Sequence, residues 1–354
     1  MPTFSPHCLA QKRFVLAALL AAAILPLLGC ANSAQQQAWD SRSANRSQAL
    51  AAAVGMPEAD THEVRDVQWT DATRQRVVPA RLYLPTGMTS KVPLVIFSHG
   101  IGGSREGYSY IGKYLAANGM AAMHVQHVGS DRSLWFGNPI QMVGRLQDAA
   151  KETEAIDRTK DMRFALTQVL ADAQLSQRLD AQLIAAAGHS YGANTTMLLA
   201  GARVQREGQA MDFSDPRIKA AVIISAPPFY GEGDPKQIVG SIRVPSLHIT
   251  ATGDDIKIPG YYSSVKDRVA VYEATRDGAR SAPGKMLAVF KEGSHSMFTD
   301  RLGTGGEVLN PQVKKATREL TLAFLQQVFT GQPSLLEKWP AQHASLVARF
   351  EQKM

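Results

Sequence analysis

Six short apolar runs constrain this chain more than any other feature: "VPLVIFS" (92–98), "MAAMHVQ" (120–126), "LIAAAG" (183–188), "IKAAVIIS" (218–225), "PSLHIT" (245–250) and "KMLAVF" (285–290). Each has the length and content of a buried strand. Helix candidates lie between several of them and after the last: Glu106 to Asn118, Glu152 to Gln174, Ala193 to Arg206 and Pro311 to Phe329. Strands alternating with helices predict an α/β fold, a mostly parallel sheet with helices on both faces. Ahead of them, "EVRDVQWT" and "RVVPARLYLP" flank the polar turn Asp71-Ala72-Thr73 and predict an N-terminal antiparallel hairpin, with Pro79 arguing for an edge strand. In such sheets the reactive loops gather at the carboxyl ends of the strands.

The chain begins differently. Lys12 and Arg13 precede "FVLAALLAAAILPLLGC", an apolar run interrupted by Pro26. It has the length of an export-signal core and is shorter than the roughly 20 apolar residues of a spanning helix. Residues 1–29 therefore read as a signal peptide. Leu27-Leu28-Gly29-Cys30 resembles the bacterial lipoprotein processing box, in which the signal is cut before a cysteine that receives lipid. The plainer alternative makes Cys30 a small residue at an ordinary cleavage site. In the lipoprotein pattern, Ala31 in place of Asp implies the outer membrane, facing the periplasm. Residues 30–60, rich in Ala, Gln and Ser, read as a lipid-anchored tether. Residues 61–335 form the expected catalytic domain and 336–354 a C-terminal extension.

The only cysteines are Cys8 and Cys30, so the body of the chain has no disulfide and no thiolate metal site. Losing Lys12 and Arg13 with the signal lowers the formal charge of +7 to about +5. No Lys/Arg block or aromatic-basic interleaving accompanies it, which argues against nucleic acid as a partner.

Gly188-His189-Ser190-Tyr191-Gly192 fits the nucleophile elbow, G-x-S-x-G, with a strand before it and a helix after it. The bare pattern is weak; the strand-turn-helix context gives it force. A serine hydroxyl needs a base, and the base needs an acid to fix its tautomer. "VFKEGSHSMFTD" supplies His295 just past one strand run, and "PSLHITATGDDIKIP" supplies Asp254 or Asp255 just past another. The oxyanion of an ester's tetrahedral intermediate calls for fixed N–H donors. One is the backbone N–H of Tyr191; the other comes from the loop of "FSHGIGG", Ile101 before Gly102. His99 in that loop reads either as a chemical participant or as a buried structural hydrogen bond.

Other polar residues carry weaker readings. His124 and His127 are three apart, on opposite faces of a strand, which argues against a metal pair. His248 alternates with apolar neighbours and reads as core. Trp135, Phe136 and Met142 either line a substrate-facing loop or cover the core.

Taken together, "FSHGIGGSREGYSYIGKYLAANGMAAMHVQHVGSD", "GHSYGA" and "GSHSMF" resemble the α/β-hydrolase superfamily over about residues 64–330. Within it the chain resembles the branch called predicted dienelactone hydrolases, related to platelet-activating-factor acetylhydrolases and bacterial polyester hydrolases. The resemblance places the nucleophile on Ser190, the acid on Asp254, the base on His295, and the oxyanion hole on Ile101 and Tyr191. It implies carboxylic-ester hydrolysis through an acyl-enzyme, of a small-molecule or lipid ester, with no metal or organic cofactor. True dienelactone hydrolases attack with cysteine, so serine at 190 weakens that name as a guide to substrate. Phospholipid and polyester are the alternative substrates. A non-catalytic envelope lipoprotein that binds through a decayed hydrolase fold is the alternative of another class.

Overall fold

The computed structural model describes residues 61–258, 260–277 and 284–353, together with Ser41. The expected signal peptide, Cys30 and the tether lie, Ser41 apart, outside the described residues.

Strands β1 (His62–Asp71) and β2 (Arg76–Pro85) form the antiparallel hairpin. Its turn is held by the Asp71 carboxylate, which accepts from the N–H groups of Thr73 and Arg74, an Asx turn of the kind that makes Asp a turn residue. There follow β3 (Val92–Ser98), β4 (Ala121–Val125), β5 (Leu179–His189), a separate small ribbon of β6 (Arg203–Arg206) and β7 (Gln209–Asp212), then β8 (Ile218–Ile224), β9 (Ser246–Ala251), β10 (Lys285–Phe290) and β11 (Val347–Lys353). The main sheet has nine strands in the order β1-β2-β4-β3-β5-β8-β9-β10-β11. The six central strands, β4 to β10 in that order, are parallel, with β2 and β11 antiparallel beside them.

Helices α1 (Ser109–Ala117), α2 (Pro139–Ala149), α3 (Glu152–Ala171), α4 (Tyr191–Leu199), α5 (Pro235–Val239), α6 (Val265–Ala274), α7 (Leu309–Thr330) and α8 (Ser334–Gln342) complete the described chain. Because successive side chains of a strand point to opposite faces, each central strand feeds two cores. Val95 and Phe97 of β3 join Ile111 and Leu115 of α1 and Phe324 of α7. Leu94 and Ile96 join Met162, Leu166 and Val169 of α3. All are buried, and each such side chain contributes roughly 1.5–3 kcal/mol by leaving water. This two-sided burial is what makes the runs read as nearly continuous apolar stretches.

Three expectations are revised. Pro79 does not mark an edge: β2 lies between β1 and β4. The Pro79 carbonyl accepts from Gln126 N–H on the β4 side, one step beyond the last paired residue, Ala80. The donor proline lacks therefore falls where the ladder ends. The helix expected from Ala193 to Arg206 starts at Tyr191 and stops at Leu199, followed by Gly201 at φ 113°, and residues 203–206 pair as a strand. Residues 336–353 supply most of α8 and the whole of β11, which pairs with β10. Trp339 is buried there, its Nε1–H donating to the Ala316 carbonyl at 2.9 Å, so this stretch is built into the sheet and core.

Candidate active site

Strand β5 ends at His189 and α4 begins at Tyr191, so Ser190 alone makes the turn, at φ 56° and ψ −124°. A non-glycine residue there costs on the order of 1–3 kcal/mol and persists only where its surroundings over-determine it. Here they do. Ser190 N–H donates to the Ile224 carbonyl at 2.9 Å, and the Ser190 carbonyl accepts from Ala193 N–H at 2.8 Å. The two flanking glycines are required by contact: a Cβ at Gly188 would stand 2.2 Å from the Gly192 carbonyl oxygen, and one at Gly192 would stand 1.9 Å from that of Ser98.

Ser190 Oγ lies 2.8 Å from His295 Nε2, and His295 Nδ1 lies 2.7 Å from Asp254 Oδ1. The three follow the ends of β5, β10 and β9; β9 and β10 are adjacent, and β8 alone separates them from β5. Asp254 is fully buried, and its Oδ2 accepts from Thr250 Oγ1 at 2.7 Å and from Ser225 Oγ. Burial by itself would raise its pKa. The hydrogen bond and charge of His295, then Arg268 at 3.3 Å and Ser225, outweigh it and hold the carboxyl well below the usual carboxylate range. An ionised Asp254 only accepts. His295 Nδ1–H therefore donates to it, which leaves the Nε2 lone pair facing the Ser190 hydroxyl. Asp255 points elsewhere, half-exposed and 3.8 Å from Lys257.

The loop after β3 lies against the nucleophile: a Cβ on Gly100 would stand 3.3 Å from Ser190 Cβ. The Gly100 carbonyl is pinned by His99 Nδ1 at 2.7 Å and Gly103 N–H at 3.0 Å. A planar trans peptide points its N–H away from its carbonyl, so Ile101 N–H faces the opposite way, and no described residue accepts it. Gly102 N–H is engaged by the Ser130 carbonyl at 2.8 Å, which removes the second choice. Tyr191 N–H is a first-turn donor of α4 without an intrahelical acceptor, at the positive end of the helix.

His99 is fully buried. Burial, then the charge of Arg158, keep its pKa well below normal, so the ring is neutral. Its Nδ1–H donates to the Gly100 carbonyl and its Nε2 accepts from His127 N–H at 3.2 Å. The structural reading of His99 is the one observed.

His189, the variable residue of the elbow, was given no role by the sequence. Burial, then His295, push its pKa down to about 3. Its Nε2 faces the His295 carbonyl at 3.0 Å, an acceptor only, so that nitrogen carries the proton and Nδ1 accepts from Tyr108 Oη–H at 2.8 Å. Tyr108 Oη in turn accepts from Gly100 N–H at 3.2 Å. The loop bearing His295 and the loop bearing Gly100 and Ile101 are thus joined through His189 and Tyr108.

Trp135 donates from Nε1 to the Gly102 carbonyl at 2.8 Å while 40% exposed, which puts its indole on the outer side of the oxyanion loop; Phe136 and Met142 are half-buried. His124 stacks on Phe97 and bonds the Gly107 carbonyl, whereas His127 bonds Ser98 and Asp161, so the two do not share partners. His248 is buried against Tyr272. The buried partners missed in the sequence are Ser225, Thr250 and Arg158. Arg158 left a signal: Glu154, Arg158 and Asp161, spaced four and three, put charge on one helical face shared with Met162 and Ala165 of the core.

A family profile for platelet-activating factor acetylhydrolase, isoform II, matches residues 72–142, which include the loop after β3. The platelet-activating factor acetylhydrolase of Cavia porcellus is 24% identical over 304 residues, 74% of this chain and 63% of that protein. The chain thus spans less than two thirds of that relative's length. A ferulic acid esterase from Streptomyces cinnamoneus superposes with a TM-score of 0.59 at 20% identity, covering 83% of this chain and 98% of the esterase. The fold is the α/β-hydrolase fold, and the chain is similar to the platelet-activating factor acetylhydrolases.

Proposed function

We propose that this protein is a serine hydrolase of carboxylic esters that works through an acyl-enzyme. The observation that carries the reading is the convergence of Ser190, His295 and Asp254 beside two backbone N–H groups, Ile101 and Tyr191, that no described residue uses. As Ser190 Oγ attacks the ester carbonyl, its proton passes to His295 Nε2, and Asp254 stabilises the imidazolium. The carbonyl oxygen becomes an oxyanion held by Ile101 and Tyr191 N–H. His295 then protonates the leaving alcohol, and a water activated by the same imidazole releases the acid and restores Ser190.

Ser190→Ala should abolish turnover of p-nitrophenyl acetate and labelling by a fluorophosphonate; labelling that survives the substitution refutes the assignment. A protein with all groups intact that turned over no ester would instead favour the non-catalytic binding reading. The likeness to platelet-activating factor acetylhydrolases supports phospholipids with a short acyl chain as one substrate class, to be tested against simple esters and polyester film. Envelope anchoring through Cys30, in the outer membrane, rests on the leader sequence. Palmitate labelling of the expressed protein that disappears in Cys30→Ser would support it.

A further inference from the structure

Beneath the oxyanion hole lies a guanidinium that the proposed reaction does not touch. Arg158, on α3, has no exposed surface. Its Nη2 donates to Ser98 Oγ at 3.0 Å and to the His99 carbonyl, its Nη1 to Ser130 Oγ at 2.7 Å and its Nε to Thr195 Oγ1 at 3.2 Å. Its Cζ sits 4.4 Å from the centroid of the Tyr191 ring. Every one of these partners belongs to a segment that shapes the hole. Ser98 and His99 lead into the loop bearing Ile101. Ser130 lends its carbonyl to Gly102 N–H. Tyr191 and Thr195 are on the first turns of the helix that supplies the second donor.

The peptide between His99 and Gly100 is clamped at both ends, its carbonyl by Arg158 and its N–H by Tyr108 Oη. That fixes the plane preceding the Gly100–Ile101 peptide, whose N–H is the proposed donor. Arg158's four hydrogen bonds go to uncharged oxygens. The nearby carboxylates are committed elsewhere: Glu154 to Arg76 at 3.2 Å, and Asp161 to Arg74 at 2.9 Å and Arg76 at 3.0 Å. Glu154 reaches Arg158 only through Ser130, whose Oγ donates to it at 2.6 Å. Burying a cation without a direct carboxylate partner costs stability. Packing alone would be served as well by an apolar side chain.

Building on the hydrolase reading, we infer that Arg158 is the positioning residue of the oxyanion hole. It ties the Ile101 loop to the Tyr191 helix, so that both N–H groups are aimed before the oxyanion forms, and it leaves a buried positive charge behind them. Lysine cannot replace it fully, because an ammonium lacks the planar fork that spans three segments at once.

The test compares Arg158→Met and Arg158→Lys with the wild type, using p-nitrophenyl acetate, fluorophosphonate titration of active sites, and phenylboronic acid. The boronic acid adds Ser190 Oγ to boron, with the serine proton passing to His295, and leaves one oxygen in the oxyanion position. Arg158→Met should lower kcat per titrated site by about 100-fold, the scale of losing one oxyanion donor, with KM little changed. It should weaken phenylboronic acid in parallel. Arg158→Lys should fall between, about 10-fold on both. A kcat that declines only with the titrated fraction, at an unchanged inhibition constant, means Arg158 merely supports the fold and overturns the inference. Should Arg158→Met fail to fold, Arg158→Lys decides by the same criterion. A wild type that neither hydrolyses the ester nor binds the boronic acid would defeat the hydrolase reading instead.

Discussion

Among the described residues, two sets of serine, histidine and aspartate stand in hydrogen-bond sequence, and one of them has the surroundings of a catalyst. Beyond the ends of β5, β9 and β10, Ser190, His295 and Asp254 are linked at 2.8 and 2.7 Å. Under the sheet end, Ser98 Oγ lies 2.9 Å from His127 Nε2, and His127 Nδ1 lies 3.2 Å from Asp161 Oδ2. The second set differs in everything else. Ser98 ends a regular strand with no exposed surface, whereas Ser190 projects from a strained turn at 7% exposure. Arg158 donates into Ser98 Oγ, and Asp161 is shared with Arg74 and Arg76. His127 is wholly enclosed, while His295 keeps 18% of its side chain accessible. Short distances among three residue types therefore do not define a catalytic triad. Access, a protruding nucleophile and waiting N–H donors do.

The widest separation between the two sets should appear when their acids are neutralised. Asp254→Asn removes the anchor of the His295 tautomer and should cost about 10⁴-fold in kcat. Asp161→Asn should leave turnover per folded molecule within about tenfold but destabilise the protein by about 3–5 kcal/mol, because Arg74, Arg76 and His127 lose their shared carboxylate. Kinetics and urea denaturation of both variants check this; interchanged phenotypes would break the contrast.

Acid should reveal the second set next. Burial first, and then nearby cations, hold His127 and His99 well below the ordinary value of 6.5. Burial likewise brings His124 to about 4, and His189 and His248 to about 3. Their folded values lie below the unfolded one, so the unfolded chain binds more protons below pH 6.5, and stability falls as pH drops from there. Each such histidine contributes a slope of about 1.4 kcal/mol per pH unit. Asp254, whose folded value is also depressed, adds a loss only below its ordinary value of 3.8. Urea midpoints between pH 7 and 5 should fall steeply, and His127→Gln should flatten the slope by about one proton. An unchanged slope would mean that His127 is protonated in the native state.

The smallest effect is expected at Asp255. Half-exposed and directed at Lys257, it should tolerate Asp255→Asn with kcat and Tm nearly unchanged. A large loss of turnover would shift the acid's role to it.

The central strands and the nucleophile elbow were legible because both are local. Two-sided burial writes itself as apolar runs, and the elbow's contacts, 2.2 Å and 1.9 Å for added Cβ atoms, leave glycine as the residue that fits at 188 and 192. The choice between Asp254 and Asp255 was not legible from the residues, since adjacent carboxylates differ only in where the chain turns after β9. The Tyr108–His189 link and the Arg158 clamp were hidden for another reason. Their partners stand 81 residues apart in one case and 59 and 60 apart in the other, and no periodicity records such a meeting. Pro79 misled because an edge is a property of the sheet, and the ladder on its β4 side ends one residue away.

Ser190's positive φ carries one more consequence. A glycine would occupy that position without strain, and Ser190→Gly would discard the hydroxyl on which the proposed turnover rests. Durability and reactivity therefore pull this single codon in opposite directions. Laboratory selection for heat resistance alone, with no demand for product, would drift toward an inert protein.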